Sequence, residues 1–359
     1  MSLRRSVQFT GSVLTSNLRR LSFPFKCSFA VTYHCNLRCV MCNIWKKPSR
    51  EEVTPRQAQR FFRTARDFSW IGITGGEAFL REDLDELILP ALFYSRRLNA
   101  LHFATNGSLP ARIRRTTAGI QKRYPDIRLV FTVSIDGPAP LHDRIRGVND
   151  AWERAIESFR YLKGLRNVKT QIGFTLGTSN LHAFRDTFTG LKRVYPALRF
   201  DDININIFQQ STFYYDNLHM RSPNRHSLLK EVERILLLDN DGLTLNNMLR
   251  RIYLRLYGEY VRRNRPPVTC RALSSTLFID PSGDIYPCAV YKRKVAHISE
   301  TGPDLGKIWK SEHARAVSRE CRLNQCPSCW SPCDAYSAIS GSLIKSLFTY
   351  ARSSLPTYR

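Results

Sequence analysis

Between residues 28 and 208 six short β-branched or aromatic runs alternate with five longer amphipathic ones. The short runs at 28–33, 69–74, 99–105, 129–135, 168–176 and 203–208 read as strands. The segments 54–66, 83–97, 110–123, 150–165 and 182–195 read as helices. Leu84, Leu87, Ile88, Leu92 and Phe93 make one helical stripe, and Thr54 followed by Pro55 is a helix start. Apolar strands that each lead into a helix predict an α/β fold, a parallel sheet covered by helices. Four motifs fall at strand C-termini: Cys35 to Cys42, Gly75-Gly76-Glu77, Thr105-Asn106-Gly107 and Ser134-Ile135-Asp136-Gly137. Parallel α/β folds bind ligands at that end.

The first of these motifs is Cys35-x3-Cys39-x2-Cys42. Three thiolates can hold three irons of a [4Fe–4S] cube and leave the fourth without a protein ligand, able to bind another molecule. A zinc site completed by His34 is the other reading of the same residues. Ten cysteines with no secretory signal read as metal ligands before disulfides. No uninterrupted apolar run is long enough to span a bilayer.

The cysteine spacing after the first strand, with Gly75-Gly76-Glu77 after the second, resembles the radical S-adenosylmethionine (SAM) enzymes over roughly residues 27–210. The resemblance implies a partial (β/α)6 TIM-like barrel. It implies that a [4Fe–4S] cluster on Cys35, Cys39 and Cys42 binds SAM and cleaves it with one electron. The products would be methionine and a 5′-deoxyadenosyl radical that takes hydrogen from a C–H bond. Gly75, Gly76 and Glu77 match the motif that holds the methionine amino group. Ser134 and Arg146 match positions that hold the SAM carboxylate in the peptide-modifying branch, and an arginine fork suits a carboxylate. Asn106 would line the same cleft. Asp136 stays ambiguous, because Asp-Gly-Pro is a turn by itself. The family often has an aromatic residue where this chain has Met41.

A second cysteine set reads Cys270-x12-Gly283-x4-Cys288, then Cys321-x4-Cys326-x2-Cys329-x3-Cys333. It resembles the SPASM auxiliary-cluster domain and its shorter Twitch form, a small cysteine-rich α+β module. Pro281-Ser282-Gly283 is a turn between two alternating strands, which brings Cys270 and Cys288 together. Two closed cubes need eight thiolates and six are present, so one auxiliary [4Fe–4S] cluster is expected. Its ligands would be Cys270, Cys288 and two of Cys326, Cys329 and Cys333. Cys321 is then surplus; it and Cys27 are candidate hydrogen-atom donors or plain buried thiols. A zinc ribbon is the alternative.

The expected domains are a basic N-terminal extension (1–26), a radical SAM core (27–215), a helical bridge (216–269), the auxiliary-cluster domain (270–334) and an amphipathic basic segment (335–359). That last segment has an apolar stripe at Tyr336, Ile339, Leu343, Leu347, Ala351 and Leu355. The net charge of +25 suits an anionic partner, or is arginine decoration of the surface. No compact basic tract or RNA-binding signature supports specific nucleic-acid binding. The two basic ends would lie on an anionic membrane or pack on the barrel. The chain is thus expected in the cytoplasm, free or peripheral at the inner membrane face. The implied partners are SAM, an electron donor such as flavodoxin or ferredoxin, and an unidentified substrate. A ribosomal peptide, a sugar or a lipid or glycolipid all fit. A non-catalytic iron–sulfur electron carrier is the reading from another class, and Gly75-Gly76-Glu77 argues against it.

Overall fold

Strands and helices alternate as the pattern requires. The computed structural model describes residues 3–48, 50–240, 242, 244–299 and 305–352. A first helix, α1 (Leu3–Leu18), precedes β1 (Lys26–Ala30). The core continues through α2 (Pro55–Thr64), β2 (Trp70–Thr74), α3 (Leu84–Tyr94), β3 (Ala100–Thr105) and α4 (Pro110–Arg123). Then come β4 (Arg128–Ser134), α5 (Ala139–Arg146), α6 (Ala151–Lys163), β5 (Val168–Leu176), α7 (Phe184–Val194) and β6 (Ile203–Ile207). Two helices follow, α8 (Arg225–Leu238) and α9 (Leu245–Arg263). The cysteine-rich part adds β7 (Thr276–Ile279), β8 (Asp284–Tyr286), β9 (Ala296–His297), α10 (Leu305–Lys310), α11 (Glu312–Arg322), α12 (Pro332–Ser340) and α13 (Leu343–Arg352).

The strands form one sheet in the order β6-β5-β4-β3-β2-β1-β7-β8-β9. Strands β1 to β6 are parallel, and β7 joins β1 in parallel, Lys26 opposite Thr276. The second cysteine region therefore extends the core sheet and covers the edge that β1 would otherwise expose. Register puts Phe29, Ile73, Phe103 and Phe131 in one row toward the helices. The rings of Phe103 and Phe131 stack at 5.0 Å. Ser28, Gly72 and His102 alternate to the opposite face, where His102 Nε2 meets Thr132 Oγ1 at 2.9 Å. Burial lowers the His102 pKa to about 4, so that ring is neutral. The helix start at Thr54 is a full capping box: Thr54 Oγ1 accepts from Gln57 N, and the Gln57 side chain accepts from Thr54 N.

Three expectations change. Residues 1–26 include a helix, α1, docked on the cysteine-rich part: Asn17 Nδ2 donates to Ser340 O and Trp309 Nε1 donates to Leu21 O. The segment after β4 holds a further helix, α5, started by Pro138 and stopped by Gly147 in a left-handed conformation. The single stripe expected from 335 onward is two helices broken at Gly341. There the Arg271 guanidinium donates to Gly341 O, and a Cβ would come within 2.7 Å of Arg271 Nε. Leu355 and the rest of 353–359 lie outside the described residues. Among the described residues no helix is long and apolar enough to cross a membrane.

Candidate active site

The loop after β1 carries Cys35, Cys39 and Cys42, and three distant elements clamp its backbone. Arg38 N donates to Arg146 O at 2.9 Å and Val40 N to Ile145 O at 2.9 Å, both at the end of α5. Asn43 N donates to Tyr215 O at 3.0 Å, beyond β6. Gly147 makes this approach possible: its φ is +69°, and a Cβ there would sit 2.6 Å from Arg38 O. The three thiols share an apolar nest with Leu37, Met41, Val148 and Ala151. Burial pushes the Cys35 thiol up to about 11 and Cys42 to about 12.

Gly75-Gly76-Glu77 lies directly against this loop. Gly76 N donates to Thr32 O and Glu77 N to His34 O, each at 2.8 Å. A Cβ on Gly76 would be 2.2 Å from His34 O, so only glycine fits. The Glu77 carboxylate is buried and accepts from Asn106 N (2.7 Å), Thr105 Oγ1 (2.9 Å) and Phe79 N (3.2 Å). Burial raises its pKa, and these three donors oppose the rise. Asn106 Nδ2 donates to Asn36 Oδ1 at 3.0 Å, which ties the end of β3 to the residue after Cys35. Ser134 closes β4 opposite Gly173. Glu77 and Asn106 thus bear directly on this loop, through His34 and Asn36, while Ser134 lies at the end of β4.

The Arg146 guanidinium pairs with Asp136 Oδ2 and donates from Nη1 to Cys39 Sγ at 3.6 Å. Burial alone would lower the arginine's pKa; Asp136 and Cys39 reverse that and hold it above its ordinary value. Asp136 also accepts from Thr175 N at 2.7 Å, and Asn180 Nδ2 donates to Asp136 O at 2.9 Å. His142 Nδ1 accepts from Asp136 N at 3.1 Å, and burial lowers that ring to about 3. Sequence reading left Asp136 ambiguous and missed His142, Asn180 and Asn36. The available signal was Asp136 itself, a carboxylate one residue past an apolar strand.

A cavity of about 170 Å³ adjoins this network. Val40 and Met41, between the second and third cysteines, line it with Ile145, Thr175, Asn180 and Phe208. Arg146 Nε is buried beside Cys39 without a partner in the protein, and so is His142 Nε2. A thiol triplet beside a cavity, with an uncommitted guanidinium nitrogen, fits a thiolate-held cluster and an anionic small molecule.

The second set draws on two chain segments. Of the four thiols Cys270, Cys288, Cys326 and Cys329, Cys270 lies within electrostatic reach of the other three, and a fifth, Cys321, is within reach of Cys270, Cys288 and Cys326. Gly283, at φ +91°, makes the β7–β8 turn. Asp334 faces all four of those thiols, and burial raises its pKa. The charged neighbours of Cys333 are Lys26 and Asp334, and Lys26 Nζ donates to Cys333 O at 2.7 Å. An aromatic wall lies between the two cysteine sets. Tyr214 packs on Phe278 at 5.0 Å and on Tyr215 at 5.3 Å, and Tyr215 is within reach of Cys42, Cys288 and Cys333.

Residues 29–189 match the model of the radical SAM superfamily, and residues 270–334 match the SPASM iron–sulfur cluster-binding domain. The AdoMet-dependent heme synthase of Oleidesulfovibrio alaskensis is 33% identical over 171 residues; the match covers 45% of this chain and only 40% of that protein. The mycofactocin maturase MftC of Mycobacterium tuberculosis is 24% identical over 345 residues, covering 92% of this chain and 81% of that protein. The crystal structure of Streptococcus suis SuiB bound to S-adenosylmethionine shares the fold, with TM-score 0.58, 19% identity and coverage of 86% and 70%. SuiB bound to the precursor peptide SuiA gives TM-score 0.60, 17% identity and coverage of 97% and 77%. The chain therefore carries a radical SAM domain followed by a SPASM iron–sulfur cluster-binding domain.

Proposed function

We propose that this enzyme matures a peptide by removing hydrogen from one of its C–H bonds. Its active site would be the cysteine loop and cavity above, with one auxiliary [4Fe–4S] cluster in the SPASM domain. The observation that supports this is the clamped loop: Cys35, Cys39 and Cys42 share one apolar nest, and Val40 and Met41 of the same loop line a cavity. When bound, the cluster and SAM supply a one-electron cleavage that generates a 5′-deoxyadenosyl radical.

This chain's residues do the rest. Cys35, Cys39 and Cys42 hold the cluster. Arg146 keeps positive charge beside the Cys39 sulfur and, with an Nε left unpartnered in the protein, would hold the methionine carboxylate. Gly75, Gly76 and Glu77 press their backbone on the loop, near the methionine amino group; Ser134 and Asn106 complete the wall. Met41, Thr175 and Asn180 line the cavity and would shield a bound nucleoside from water. Cys270, Cys288, Cys326 and Cys329 would hold the auxiliary cluster, leaving Cys321 and Cys333 outside it. A donor such as flavodoxin or ferredoxin would bring the electron. The peptide reading is supported by MftC, a maturase matched over most of both chains, and by the fold shared with SuiB bound to its precursor peptide.

The test is anaerobic reconstitution, reduction and addition of SAM. The expected product is 5′-deoxyadenosine, absent when Cys35, Cys39 and Cys42 are replaced by alanine. Iron analysis should give about eight irons per chain. About four irons and one zinc would replace the auxiliary cluster with a zinc ribbon. Deuterium passing from a labelled peptide into 5′-deoxyadenosine would establish the substrate class; transfer only from a lipid or sugar would overturn it.

A further inference from the structure

Half of the large apolar side chains exposed among the described residues lie on just two helices, α1 and α13. On α1 these are Val7, Leu14 and Leu18, the last 89% exposed; on α13 they are Ile344, Leu347 and Phe348, the first 86% exposed. Helical geometry makes each trio a stripe. At 100° per residue Val7, Leu14 and Leu18 all point away from the buried Ser16. Ile344, Leu347 and Phe348 likewise point away from the buried Ser346, whose hydroxyl donates to Ile339 O. The stripes meet where the helices meet: Asn17 Nδ2 donates to Ser340 O at 3.0 Å, and Leu343 N donates to Asn17 Oδ1 at 2.8 Å. Leu18 and Ile344 are each one residue from that joint.

The charges around the stripes are all of one sign. Neither helix contains an acidic residue. Arg4, Arg19, Lys345 and Arg352 are exposed at the margins, and Arg352 lies over the Phe348 ring at 4.0 Å. We propose that the paired α1–α13 face docks on an anionic phospholipid bilayer, with the apolar stripe in the acyl boundary and the arginines and lysine on the headgroups. The occupant follows from the combination. Cations alone would fit any polyanion, but exposed leucine, isoleucine and phenylalanine gain only where an apolar phase lies behind the anionic layer. Such a contact is interfacial and reversible, and each margin cation near the surface adds about fivefold in partitioning. The enzyme's other end, where the strand C-termini open, stays free for substrate.

The experiment is cosedimentation of the full chain with vesicles of phosphatidylcholine alone or mixed with phosphatidylglycerol, at low and high salt. The expected result is binding to the mixed vesicles that salt weakens, and little to the neutral ones. Ile344→Glu with Phe348→Glu should abolish it, and Arg19→Gln with Lys345→Gln should weaken it by an order of magnitude or more. Phe93→Glu, an exposed site elsewhere, should bind as the native chain does. Equal binding to both vesicle types, or no effect of the α13 variants, overturns the proposal. So does sedimentation velocity showing that the face instead joins two copies, or pull-down of an acidic peptide by this face with no vesicle binding.

Discussion

The two cysteine sets sit at opposite extremes of how a fold can assemble a site. The first occupies eight consecutive residues, and backbone hydrogen bonds from α5, β2 and the loop beyond β6 fix its shape. The second gathers thiols from 270–288 and from 321–333, far apart in the chain. They meet because β7 adds to β1 and because Trp330 stacks on Tyr253 at 5.7 Å, with Trp330 Nε1 bonded to Tyr253 O. A local loop keeps its donors together whenever its clamps hold. A composite site is only as intact as the packing between its segments. The aromatic wall of Tyr214 and Tyr215 touches both, so the two sets are neighbours with separate supports.

The largest expected effect separates them directly. Cys39→Ser should abolish SAM cleavage and remove about half of the iron, while Cys329→Ser should remove a similar amount and leave 5′-deoxyadenosine formation in place. Loss of cleavage in both variants would break the independence of the two supports. Next come the supports themselves. Arg146→Met leaves the buried Asp136 carboxylate unpaired, a cost of roughly 3–5 kcal/mol in urea unfolding, and should release the first cluster. Trp330→Ala removes a buried ring at a similar cost, about 3–5 kcal/mol, and should release only the auxiliary iron. Iron lost from the same set in both variants would mean one support serves the whole.

A smaller effect is set by pH. Burial lowers His142 to about 3 in the folded chain, against the ordinary histidine value near 6.5. A depressed folded value contributes stability above the unfolded pKa and loses it as pH falls toward the folded one. Unfolding free energy should therefore drop below about pH 6.5, at up to about 1.4 kcal/mol per pH unit from this ring. His142→Gln should remove that part of the slope. A slope unchanged in the variant would show that other groups carry it.

The local set was also the legible one. Spacing alone marked Cys35, Cys39 and Cys42, and strand ends marked Glu77 and Asn106, because both signals are short-range. Arg146 was found through resemblance, but its partner was not. Asp136 follows a strand and precedes Gly-Pro, so its local pattern is a turn; only tertiary packing shows that the carboxylate is buried on a guanidinium. Helix α5 was missed for the same reason, since eight residues between Pro138 and Gly147 carry too little periodicity. The two terminal helices were legible as basic and apolar, while their mutual joint at Asn17 depends on residues more than three hundred positions apart.

The composite set leaves the finest distinction. Spacing allowed Cys326, Cys329 and Cys333 equally; in the fold Cys333 has Lys26 and Asp334 as its charged neighbours, and Asp334 also acts on Cys270, Cys288, Cys326 and Cys329. Cys333→Ser should then leave the iron content and the auxiliary electron paramagnetic resonance signal unchanged, and so should Cys321→Ser. Because Cys321 lies within electrostatic reach of Cys270, Cys288 and Cys326, its loss should shift the auxiliary midpoint potential slightly, which Cys333→Ser should not. Loss of about four irons in Cys333→Ser would assign Cys333 to the cluster. It would also show that assembly of the composite site draws α12 inward from where its packing on β1 and β6 now holds it.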